Sequence, residues 1–121
     1  MRYFEIKKSQ YATTVWPKDQ GFQGIDYIEF QIAGITYGER IDDHLGEFVA
    51  TLEPEPANPY DAQAIKILTR NGDRVGYVPK DMTGDIHDFI QLPCKCYCYI
   101  DVNNGTYYTD CYIKKIPIKY E

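Results

Sequence analysis

Ala64-Ile65-Lys66-Ile67-Leu68-Thr69-Arg70-Asn71-Gly72-Asp73-Arg74-Val75-Gly76-Tyr77-Val78 decides the fold of this chain. Residues 64–68 and 74–78 are short apolar-rich runs around Asn71-Gly72, a pair whose tolerance of positive φ makes it the strongest short-range hairpin signal. Pro79 cannot donate to a sheet ladder, so the second strand stops there. The same grammar recurs downstream, where residues 94–102 and 106–115 flank Asn103-Asn104-Gly105. Upstream, residues 27–35 alternate with Ile28, Phe30 and Ile32 on one face, and residues 47–52 form a further strand. Gly34 falls where the first strand needs a bulge or a close backbone approach.

Between the hairpins, residues 81–90 carry Met82, Ile86, Phe89 and Ile90 at helical spacing, with Asp81 as N-cap and Pro93 as the stop. Six strands, mostly antiparallel, and one short α-helix predict a mainly β protein, a small β-barrel that is closed or partly open. Residues 1–24 read as an N-terminal extension packed on the barrel, with loop signals at Trp16-Pro17-Lys18-Asp19, Gly21 and Gly24 and one strand near residues 3–6. Residues 25–121 make the barrel domain.

A length of 121 residues suits one domain. No apolar run reaches the roughly 20 residues of a membrane helix, and the N-terminus lacks a signal-peptide core, so the expectation is a cytoplasmic protein with no membrane partner. A net charge of −5 excludes a protein that coats nucleic acid by bulk electrostatics; any such binding is local. Twelve tyrosines against five Phe and one Trp admit two readings, half-exposed strand faces or a stacking surface for bases. Cys94, Cys96 and Cys98 share one strand face, and with Cys111 they read as small buried side chains, with no metal and no disulfide expected. His44 and His87 fit no metal or triad pattern, and no phosphate-binding glycine loop occurs, so no catalytic residue and no cofactor are assigned.

The functional signal lies in Glu53-Pro54-Glu55-Pro56-Ala57-Asn58-Pro59-Tyr60-Asp61. Its prolines stiffen the segment before anything binds, and Asn58-Pro59 turns Tyr60 and Asp61 outward at its end. From the residues alone, this pair serves equally as a recognition site or as a core-capping ring beside a turn-capping carboxylate.

Gly34-Ile35-Thr36-Tyr37, then Asn58-Pro59-Tyr60-Asp61 with Ala64-Ile65-Lys66, then Gly76-Tyr77-Val78-Pro79-Lys80 occur in this order, and the region from about Phe30 to Ile90 resembles the HIRAN domain. That family is found at the N-terminus of Swi/Snf-type fork-remodelling ATPases and as short stand-alone bacterial proteins. The resemblance implies an OB-like or SH3-like barrel and a non-catalytic module that recognises the 3′-OH end of single-stranded DNA, or of RNA. It also implies a role in DNA repair or replication-fork processing beside a separately encoded helicase or nuclease.

By resemblance, Tyr37 and Tyr60 flank the terminal base or sugar and Asp61 accepts a hydrogen bond from the 3′-hydroxyl. Asn58 shapes the pocket, and Lys80, with the free N–H groups of the following helix, meets a phosphate. Tyr77 belongs to the DNA-binding set, although a DNA-binding relative has histidine there and a basic residue in place of Thr36. Tyr99, Tyr107 and Tyr108 are the candidates for a more distant stacking partner. The alternative function is a protein- or peptide-interaction domain using the tyrosine-rich face.

Overall fold

The computed structural model describes residues 27–114. Within them all six expected strands form: β1 Tyr27–Phe30, β2 Gly46–Pro54, β3 Ile65–Leu68, β4 Arg74–Tyr77, β5 Cys94–Asn103 and β6 Thr106–Lys114. They make one sheet in the order β1-β6-β5-β2-β3-β4, antiparallel at every pairing. The strand expected at residues 3–6 and the packing of residues 1–24 lie outside the described residues.

Alternation explains the core. Leu52 on β2, Ile65 and Ile67 on β3, Cys96, Cys98 and Ile100 on β5, and Cys111 and Ile113 on β6 all turn inward and are buried. A large aliphatic side chain buried this way contributes roughly 1.5–3 kcal/mol of transfer free energy. Ile86 of the helix covers the same cluster.

The first strand is shorter than its alternating pattern, because beyond Phe30 the chain leaves β6 and crosses to the opposite edge of the sheet. There Ala33 N donates to Tyr77 O at 2.8 Å and Tyr77 N donates to Ala33 O at 2.9 Å. These two bonds tie the ends of the strand order together and curl the sheet into a partly open barrel. The close backbone approach expected near Gly34 is therefore made at Gly76, where an added Cβ would collide with Ile32 Cγ2 and lie 2.6 Å from Ala33 O. Gly34 instead sits in open space at φ 70° and starts a 3₁₀ turn over Ile35–Tyr37.

The two Asn-Gly hairpins close differently. Between β5 and β6, Asn104 and Gly105 both have positive φ, and the register pairs Asn103 directly with Thr106, a two-residue turn. Between β3 and β4, only Gly72 is left-handed. Gly72 N donates to Thr69 O and Thr69 N donates to Asp73 O, the pattern of a three-residue loop ending in a left-handed glycine, and a separate register shift at Ile67/Leu68 leaves Val75 as an extra residue on β4. The Thr69 hydroxyl, accepting from Asp73 N, favours the longer loop.

The helix also differs at its start. A 3₁₀ turn over Lys80–Met82 precedes α1, Thr83–Phe89. Met82, not Asp81, is the N-cap, without a side-chain cap bond, and the Thr83 hydroxyl donates to Lys80 O at 3.0 Å. Ile86 is fully buried, Met82 and Ile90 pack against the core, and Phe89 faces outward. Ile90 is already extended, so the helix ends ahead of Pro93. No helix among the described residues is long and apolar enough to cross a membrane.

Candidate nucleic-acid interface

The proline-rich arm is the connection between β2 and β3, and it is pinned shut at its base. Glu55 N donates to Ala64 O at 2.8 Å, Asn58 N to Glu55 O at 3.0 Å, and Ala64 N to Asp61 O at 3.0 Å. Asn58 organises the tip. Its Oδ1 accepts from Tyr60 N and Asp61 N at 2.8 and 3.1 Å, and its Nδ2 donates to Glu55 Oε1 at 2.8 Å. This is the local bonding that suits asparagine to turns. Asp61 Oδ1 accepts from Gln63 N, and His87 of α1 donates Nε2–H to Gln63 O, which braces the far end of the arm.

On this fixed frame the Tyr60 ring is 91% exposed. It is not a core-capping ring. Tyr37, at the end of the 3₁₀ turn that follows β1, is 81% exposed. Beneath the arm lies an open cleft of about 410 Å³ lined by Glu55, Asn58, Pro59, Tyr60, Arg74 and Tyr77, with Ala57 at its side.

Tyr77 forms the floor strut, its hydroxyl donating to Glu55 Oε1 at 2.8 Å. Two donors on one carboxylate, Asn58 first and Tyr77 second, hold the Glu55 pKa below its ordinary value. Burial and the bond to Glu55 push the Tyr77 phenol above its own. Arg74 lies across the Tyr77 ring at 5.4 Å and donates Nη2–H to Tyr37 O at 3.0 Å. Its Nε is buried without a partner among the described residues.

Asn58, Tyr60 and Tyr77 are thus brought to one cleft, Tyr37 is tied to it through Arg74, and Asp61 stands on the arm beside Tyr60. Lys80 is exposed at the head of the 3₁₀ turn and is not among the cleft-lining residues. The helical N–H groups expected to assist Lys80 are displaced by that turn, in which Met82 N already donates to Pro79 O. Arg74 is the contributor that sequence reading missed. It starts the strand whose other end carries Tyr77, and only the barrel closure shows that its guanidinium reaches Tyr37.

A family model for the HIRAN domain matches residues 25–114. The chain belongs to the HIRAN domain family. The crystal structure of the HIRAN domain of human HLTF is similar in fold, with a TM-score of 0.54 and 21% sequence identity over 77% of this chain and 81% of that chain. No curated protein matches the chain. As a HIRAN domain, the chain is a nucleic-acid-binding module.

A second, smaller cleft of this HIRAN domain, about 140 Å³, is lined by Gln31, Ile32, Ile35, Tyr107, Tyr108 and Thr109. Tyr108 is 48% exposed there, and Tyr107 donates its hydroxyl to Asp42 Oδ1 at 2.8 Å. Tyr99 is buried and has no face to offer a base. The tyrosine excess therefore divides: Tyr99 and Tyr112 are buried on the sheet face opposite the Cys98–Cys111 core, while Tyr37, Tyr60 and Tyr108 are exposed.

Proposed function

We propose that the cleft beneath the arm receives the 3′-terminal nucleotide of a single-stranded DNA. Tyr60 and Tyr37 stack on its base and sugar, a contact worth roughly 1–3 kcal/mol per base and indifferent to sequence. Asp61 accepts a hydrogen bond from the free 3′-hydroxyl through Oδ2, which has no partner among the described residues, while Oδ1 is held by Gln63 N. Asn58 fixes the tip geometry, Tyr77 supports it from below, and Arg74 and Lys80 supply positive charge to the first phosphates. Tyr108 in the second cleft takes a preceding base. A chain of net charge −5 can bind this way because few phosphates are touched.

The observation that carries the reading is Tyr60, an aromatic ring 91% exposed on a loop fixed by its own hydrogen bonds. An ordered loop pays little further entropy when a ligand arrives. In its setting, the module would hand a captured 3′ end to a helicase or nuclease acting in DNA repair or fork processing.

The reading is tested by fluorescence anisotropy with a 5′-labelled single strand and the blunt duplex of the same sequence. The single strand is expected to bind more tightly, and Tyr60→Ala to remove the difference. Equal affinity for the blunt duplex, or unchanged binding by Tyr60→Ala, contradicts it and returns the tyrosine face to a peptide partner.

A further inference from the structure

Away from the clefts, Cys96, Cys98 and Cys111 bring three thiols together at the centre of the barrel, each with no solvent exposure. The β5–β6 register sets Cys98 directly opposite Cys111, and Cys96 lies two residues along the same face. The Sγ–Sγ distances are 3.3 Å for Cys98–Cys111 and 3.7 Å for Cys96–Cys98, and all three sulfurs lie within 4.8 Å of one another. A point equidistant from three sulfurs so spaced is roughly 2.0–2.4 Å from each, which brackets a metal–thiolate bond of about 2.3 Å.

We propose that Cys96, Cys98 and Cys111 bind one Cu(I) ion in a trigonal, all-sulfur site. Soft ligands select soft ions, and structural zinc completes a tetrahedron with a fourth donor that this cluster does not contain among the described residues. Cys94, the remaining cysteine, is half-buried and stands outside the cluster. A monovalent ion is also neutralised by a single thiolate, the smallest charge change a dry core has to absorb. Entry of Cu(I) breaks at least one cysteine S–H bond, forms copper–sulfur bonds and sends the proton to solvent; neither copper nor sulfur changes oxidation state. Because the thiols are sealed from water, loading proceeds through local opening of the barrel.

The test uses the reduced full chain, without oxygen, titrated with Cu(I) against a bathocuproine competitor. One Cu(I) per chain is expected, with near-ultraviolet copper–thiolate absorption, a raised melting temperature, and three sulfur ligands by X-ray absorption at the copper edge. Cys98→Ala and Cys111→Ala should lose the uptake and Cys94→Ala should keep it. Absence of stoichiometric uptake, equal uptake by guanidinium-unfolded chain, or loss in Cys94→Ala overturns the proposal. So does a spectrum with fewer than three sulfurs, a result that needs no variant to fold.

Discussion

The Tyr77 hydroxyl donates to Glu55 Oε1 at 2.8 Å while the Tyr77 backbone is bridged to Ala33 by a reciprocal pair of hydrogen bonds. One residue therefore joins the barrel closure to the arm that presents Tyr60. The fold and the proposed binding face share a strut, so a change at Tyr77 should be felt in both.

Tyr77→Phe keeps the ring under Arg74 and removes only the hydroxyl. It should lower the unfolding free energy by about 1 kcal/mol, the net worth of one such bond. Urea denaturation measures that loss. Affinity for a single-stranded end should fall by less than roughly tenfold, because the arm retains its own hydrogen bonds.

Acid should loosen the arm. Glu55 has a folded-state pKa below its ordinary value of 4.5, held there by Asn58 and then by Tyr77. Its contribution to stability is complete above the unfolded-state value and is lost as pH falls through the folded-state value. Wild type should thus lose stability from about pH 4.5 downward more steeply than Glu55→Gln, which cannot titrate. Parallel thermal melts between pH 3 and 7 compare the two slopes; roughly parallel curves would remove Glu55 from this role.

Gly76→Ala places a methyl against Ile32 and the Ala33 carbonyl. The overpacking should cost about 1–3 kcal/mol and weaken the barrel closure. Gly84→Ala is the matched control, since a Cβ there meets nothing within 4 Å and the position is helical. That variant should be neutral or more stable by up to about 1 kcal/mol.

Arg74 should act on phosphate and not on base identity. Arg74→Gln is expected to weaken binding to all single-stranded sequences alike and to reduce the salt dependence by about one unit of slope. Arg74→Lys keeps the charge but loses the planar fork that spans Tyr77 and Tyr37, so it should recover the salt slope without full affinity. Anisotropy titrations at several salt concentrations separate the two variants.

The strands were legible because each buries one face, and the alternation of Leu52, Ile65, Ile67 and Ile113 survives in the core. Turn chemistry was less so. Asn71-Gly72 and Asn103-Asn104-Gly105 share a signal, yet the Thr69 hydroxyl bond to Asp73 N accompanies a three-residue loop in the first. Helix capping misled because Lys80–Met82 forms a 3₁₀ turn, which a spacing of apolar residues does not separate from an α-helical one. The Ala33–Tyr77 bridge, and with it the place of Arg74, depends on contacts between distant segments that no local pattern encodes. The thiol cluster was within reach: a two-residue turn at Asn104-Gly105 sets Cys98 opposite Cys111 by counting back along both strands.

The central claim is that Asp61 reads a free 3′-hydroxyl, and the most direct measurement compares one oligonucleotide bearing a 3′-OH with the same strand bearing a 3′-phosphate. A carboxylate accepts from a hydroxyl and repels a phosphate, so wild type should prefer the 3′-OH strand by roughly tenfold or more. Asp61→Asn, which keeps an acceptor oxygen but removes the charge, should narrow the gap chiefly by binding the 3′-phosphate strand better. Equal binding of the two strands by wild type, or a preference that Asp61→Asn leaves intact, would contradict the account.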